Sequence, residues 1–231
     1  MRTVLIAVTL ILMASPAVCQ EFNVLDIIGF LYESDNTPGV IGFDESNPGD
    51  ILAGFGFIDS TGEPFEWSPD DYQYTWHMYD LVSAGAEVIG PNTERIFYTG
   101  GSIDIIADPY MDPGYTNPIF GTDPPQSQFL DTFTNGHVFL HGTFNLFALT
   151  IDRVAGDGNF QGTISFELGQ WFQDQGYELE APDGYTIGGA VLFDEDGTVP
   201  DGFDLSVDGH VYYSPIPNDD VSWGTIKNLF R

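Results

Sequence analysis

Apolar runs rich in β-branched and aromatic residues recur along the chain, and at 72–78 apolar and polar positions alternate with a period of two, as in a pleated strand with one face buried. Tyr72, Tyr74, Trp76 and Met78 alternate with Gln73, Thr75 and His77. Strands are accordingly expected at 22–32, 51–58, 72–78, 95–107, 137–151, 159–167, 185–193 and 203–213. The stretch 95–107 reads as two strand halves bent at Gly100-Gly101. Asn135-Gly136 reads as a tight turn, and Gly156-Asp157-Gly158 as the turn of a hairpin. Glycine (27) and proline (15) punctuate the spaces between the apolar runs, as turns require. No window before the last ten residues has helical spacing. The pattern predicts an all-β fold: a single antiparallel β-sandwich or barrel with a short C-terminal helical tail.

The two ends depart from this pattern. Arg2, the apolar run 4–13 and the small residues Ala14, Ser15, Ala17 and Cys19 form a secretory signal, expected to be cleaved after Cys19. The apolar run is about half the length of a bilayer-spanning helix. A lipid anchor on Cys19 is the rival reading, disfavoured by Pro16 and Val18 at the positions such an anchor motif reads. The β domain is expected over 20–213, followed by a linker at 214–222 that holds two prolines and two acids. In the tail 223–231, Ser222 can cap a helix and Trp223, Ile226 and Phe230 fall on one face. Lys227 and Arg231 complement the C-terminal dipole. This tail is expected either to pack on its own domain or to serve as a tag read by an export or attachment machine.

Composition narrows the functional classes. A chain of 231 residues is long enough to bury a core, and 42% of its residues are apolar. Its net charge is −30, from 35 acids against five cations. Five cations build no basic patch, so nucleic acid and anionic lipid surfaces are excluded as partners. The lone cysteine forms no internal disulfide. Self-repulsion of the acids predicts a benefit from salt or from a cation-rich matrix. A secreted location, extracellular or at the cell surface, is expected, with no transmembrane segment in the mature chain.

Candidate chemistry is sparse. His137 and His141 have a zinc-helix spacing, but the run is strand-like, and four residues along a strand span about 13 Å, too far to share one ion. Asp194, Asp196, Asp201 and Asp204 cluster hard oxygens around turn glycines and are the candidate calcium ligands, although the EF-hand spacing fails. Trp67, Tyr110, Tyr115 and Trp171 are the candidate platforms for stacking on sugar rings. Tyr110 and Tyr115 sit in a proline-rich stretch of the kind that is usually functional or disordered. Glu178 and Glu180 would share a strand face about 7 Å apart, a spacing between those of retaining and inverting glycosidases, but such alternation arises by chance in any acidic β-protein. The elbow, phosphate-loop and dinucleotide motifs of common enzymes are missing, and no catalytic residue is assigned.

Three stretches carry a resemblance: YTWHMYDLVSAG at 74–85, FYTGGSIDIIAD at 97–108 and FTNGHVFLHGTF at 133–144, followed by the turn at 156–162. They resemble secreted β-rich bacterial proteins of unknown function associated with PEP-CTERM-type sorting. The chain lacks the Pro-Glu-Pro motif, the terminal apolar helix and the basic cluster of that anchor. The tail resembles W-G-x-I-K-x-L-[FY]-R endings of other secreted bacterial proteins. The resemblance implies export and a β-fold more than a chemistry. The expected function is that of an exported, non-catalytic surface or extracellular-matrix protein. A carbohydrate-binding or calcium-assisted adhesion module is the alternative, with extracellular matrix, glycans or a secretion machine as partners.

Overall fold

The computed structural model describes residues 22–34, 45–62, 72–109, 133–179, 183–193, 199–200 and 202–213. The signal, linker and tail segments expected from the sequence lie outside them. The described residues form nine strands: β1 (Phe22–Ser34), β2 (Ile51–Thr61), β3 (Tyr72–Val88), β4 (Thr93–Thr99), β5 (Ser102–Pro109), β6 (His137–Asp152), β7 (Asp157–Leu168), β8 (Tyr185–Phe193) and β9 (Leu205–Tyr213). β4 and β5 lie end to end between β3 and β6 and each pairs with both. Because β1 also pairs with β9, the strands close into an eight-stave antiparallel barrel. Among the described residues, closure leaves no sheet edge open to pairing with another chain.

The break between β4 and β5 falls where the sequence placed it. Gly100 and Gly101 have φ of +69° and +81°, a conformation that costs glycine little. Tyr79 pairs with Ser102 and Val82 with Thr99, so Asp80 and Leu81 face the glycines across the bend. Asp80 itself has φ +59°, and the barrel wall turns a corner at this point.

The period of two decides what fills the barrel. On β7, Phe160, Ile164, Phe166 and Leu168 are buried, while Asn159, Gln161 and Glu167 are exposed. The interior also takes Leu31, Trp76, Met78, Ile103, Phe147, Ile187 and Val207. Trp76 fits only because its neighbours lack side chains. A Cβ on Gly29 or Gly56 would stand 2.6 Å and 2.5 Å from its indole. Gly189 and Gly209 make the same room for Phe160, where added Cβ atoms would stand 2.8 Å and 2.6 Å from the ring. The space left at the centre is about 10 Å³, at the lower edge of what one water needs.

A second apolar cluster lies outside the barrel. Phe55, Phe133, Val199 and Phe203 are buried together with half-buried Phe30, Tyr32 and Phe57. β1 and β2 are therefore apolar on both faces, one toward the lumen and one toward covering loops. Thr75, expected to face water, is fully buried beneath this cover and donates to the Phe133 carbonyl at 2.9 Å.

Each end of the barrel is distinct. At one, which we call the helix end, β1 begins, β9 finishes and a short helix, α1 (Gln170–Asp174), follows β7. The sequence pattern missed α1, since five residues are too few to show a helical period. Phe172 of α1 is fully buried against Phe139 at 5.0 Å between ring centres. At the far end residues 45–50 fold back on β3, with Gly49 and Ala86 donating backbone bonds to Ser83 and Ser46. No helix among the described residues is long and apolar enough to cross a membrane.

Candidate functional site

The far end holds the most unusual polar group of the described residues. Glu33 follows Leu31 on the inward face of β1, so the alternation that buries Leu31 also carries a carboxyl inward. Its Oε1 accepts the Ser46 hydroxyl at 2.8 Å and the buried Tyr98 hydroxyl at 3.0 Å. Ser46 in turn shares a 2.7 Å hydrogen bond with Ser83, and both are buried. Burial pushes the Glu33 carboxyl up to about 7; the Ser46 and Tyr98 donors oppose the rise, and the charges of Asp50 and Asp204 add to it. Burial also raises the Tyr98 hydroxyl, and the Glu33 charge raises it further.

Two aspartate–histidine pairs lie on the outer wall. On β5 and β6, Asp104 Oδ1 and His141 Nδ1 are 2.6 Å apart, while the Tyr79 hydroxyl donates to Asp104 Oδ2 at 3.2 Å. His77, next to Asp104 in the same cross-strand row, stacks on Phe55 at 4.5 Å. Burial lowers its pKa against the pull of Asp104 and Asp80. On β1 and β9, Asp26 bonds His210 and accepts the Ser60 hydroxyl of β2. Burial raises the Asp26 pKa, but the Ser60, Asn23 and His210 hydrogen bonds together hold it below the usual value. In both rows the hydroxyl donates to the carboxylate and does not meet the imidazole. That order lacks the hydroxyl–imidazole contact by which a nucleophile is activated. What the rows do is tie three adjacent strands together.

The residues singled out from sequence divide as follows. Trp171 is half-buried at the helix end, stacked on exposed His137 at 4.7 Å and edge-on to Phe172 at 4.8 Å. One indole face is thus covered by an imidazole. Trp67, Tyr110 and Tyr115 lie outside the described residues, but the strand ends that flank them, Thr61, Tyr72, Pro109 and His137, share the helix end with Trp171. Of the candidate calcium ligands Asp204 is described: its Oδ2 accepts the Glu33 backbone N–H at 2.7 Å. Asp194, Asp196 and Asp201 lie outside the described residues, as do Trp223, Ile226, Lys227, Phe230 and Arg231. Among the described residues no group of three His, Cys, Asp or Glu side chains is placed to hold a metal ion. His137 and His141 both lie on β6, as the strand reading requires. Glu178 sits on no strand: it follows α1 in an irregular segment, which removes the basis for pairing it with Glu180 across a strand face.

Reasoning from the sequence missed Glu33, Ser46, Ser83 and Tyr98. A signal was available in β1, where the inward series Ile27, Gly29, Leu31 continues to Glu33. Comparison with protein-family models, curated proteins and solved structures gave no match.

Proposed function

We propose that the chain is an exported, non-catalytic surface or extracellular-matrix protein that works through the outside of a solid barrel. The observation that carries this reading is the filled lumen. Barrels of this stave number that bind small ligands do so inside, in a cavity open at one mouth. Here Trp76, Phe147 and Phe160 occupy that volume and leave about 10 Å³. Recognition therefore falls to the outer wall and the connecting loops. The closure of the described strands into a barrel suits a protein that must stay unaggregated outside the cell. The acid excess suits a hydrated, cation-rich surrounding. The order of groups in the two aspartate–histidine rows supports a structural role for them.

Expression of the full chain in a bacterial host with an intact secretory pathway tests the proposal. The protein is expected in the extracellular or surface fraction with Gln20 as its first residue, inert toward a panel of polysaccharides. Retention in the cytoplasm, or turnover of any polysaccharide, would overturn it.

A further inference from the structure

We propose that residues 223–231 dock on the helix end of the barrel, with Trp223, Ile226 and Phe230 laid against Trp171, Tyr72, Tyr177 and Leu179. The segment lies outside the described residues, and three observations lead to this assignment. The first is reach. β9 finishes at Tyr213 on that end, its ring 5.1 Å from that of Tyr185. The linker 214–222 spans at most about 30 Å when extended, enough to cross the mouth of the barrel. The second is shape and chemistry. Trp171, Tyr72, Tyr177 and Leu179 pack on the core from outside and are only half-buried. They form an apolar face around α1 of the kind that an amphipathic helix covers.

The third observation is charge. Asp174, Glu178 and Asp183 are exposed around this face. The described cations Arg95 and Arg153 are engaged on the β4 and β6–β7 side, Arg153 with Glu94 at 2.8 Å and Arg95 with Thr150 at 3.5 Å. Lys227 and Arg231 would therefore supply lysine and arginine charge to an otherwise acidic end. Nine residues do not hold a helix alone, so the tail gains its order from the surface it covers. Repulsion between two chains of net charge −30 disfavours docking on a second copy and so favours the intramolecular site. The proposal is independent of whether the chain is exported.

The test is backbone ¹⁵N relaxation and chemical-shift mapping of the full chain at low salt, beside Phe230→Asp and the double substitution Asp174→Lys, Glu178→Lys. In the unsubstituted protein, order parameters over 223–231 are expected near ~0.85, falling below ~0.6 in either variant. The shift changes caused by Phe230→Asp are expected at Trp171, Tyr177 and Leu179. The charge-reversed sites are surface positions, so that variant frees the tail with the barrel's melting temperature unmoved. A tail with low order parameters in the unsubstituted protein overturns the proposal. So do shift changes on another face, or tail order that appears only as concentration rises, which would place the tail on a second copy.

Discussion

The indole N–H of Trp76 donates to the carbonyl of Ile28 at 3.0 Å, across a floor made by Gly29 and Gly56. One side chain thereby fills the lumen and ties β3 to β1 with β2 lying between them. A Cβ on Gly56 would stand 2.0 Å from the Ile28 carbonyl oxygen and 2.5 Å from the indole nitrogen. Gly56→Ala is expected to destabilise the barrel by about 1–3 kcal/mol, the usual range for overpacking. Gly188→Ala is the control, because its Cβ would find nothing closer than 3.4 Å. It should leave the urea midpoint unchanged or raised. Equal losses from both substitutions would show that glycine flexibility, not the seat for Trp76, matters.

The Glu33 network makes stability depend on pH in an unusual direction. The folded carboxyl titrates at about 7, raised by burial, whereas an unfolded glutamate titrates near ~4.3. A raised acid favours the folded state while it is protonated. Its contribution is full below about pH 4.3 and is lost as pH climbs through about 7. Allowing for partial solvent screening, the loss is about 2 kcal/mol. Urea midpoints measured from pH 4.5 to 8 should fall as pH rises, and Glu33→Gln should flatten the part of the decline that lies between about pH 4.3 and 7. A midpoint that stays level over this range in the unsubstituted protein would remove Glu33 as the source.

Strand positions were legible because runs of β-branched and aromatic residues are separated by glycine and proline turns; β8, at Tyr185–Phe193, has the bounds expected from the sequence. The choice between sandwich and barrel was not legible, since it depends on whether β1 meets β9, a contact between the two ends of the domain. Thr75 misled for a related reason. Its outward position is polar in pattern, but Phe133, far along the chain, arrives to cover it. Glu33 shows the converse case, a polar residue on an inward face that the alternation places correctly and that chemical intuition assigns to water. Most of the candidate ligand-binding residues, Trp67, Tyr110, Tyr115, Asp194, Asp196 and Asp201, lie outside the described residues.

Asp80 is the one non-glycine among the described residues with positive φ, at +59°. It stands opposite Gly100 and Gly101 at the barrel corner, so the bend is shared between a glycine pair and an aspartate. Aspartate tolerates this region better than a β-branched residue does. Asp80→Gly is expected to be neutral or to stabilise by up to ~1 kcal/mol, and Asp80→Val to destabilise by about 1–2 kcal/mol. Chemical denaturation of the two variants decides between backbone strain and side-chain contact: if glycine is as damaging as valine, the carboxylate and not the backbone is what the corner requires.

Phe172 is the most exacting part of α1. It is fully buried, edge-on to Phe139 at 5.0 Å and to Trp171 at 4.8 Å, and also meets Tyr72 at 6.2 Å and Tyr177 at 6.0 Å. A helix of five residues has no stability of its own, so burial of this ring, together with the Trp171–His137 stack, holds α1 against the barrel. Phe172→Ala should cost about 3–5 kcal/mol. The loss should also appear locally, as faster hydrogen exchange at Gln173 and Gln175, whose amides bond Gly169 and Phe172 carbonyls. Phe172→Leu, which keeps most of the apolar volume, should retain more than half of the stability lost in Phe172→Ala. If leucine and alanine prove equivalent, the aromatic edge contacts rather than buried volume secure the helix end. If neither substitution matters, α1 is decoration and the barrel closes without it.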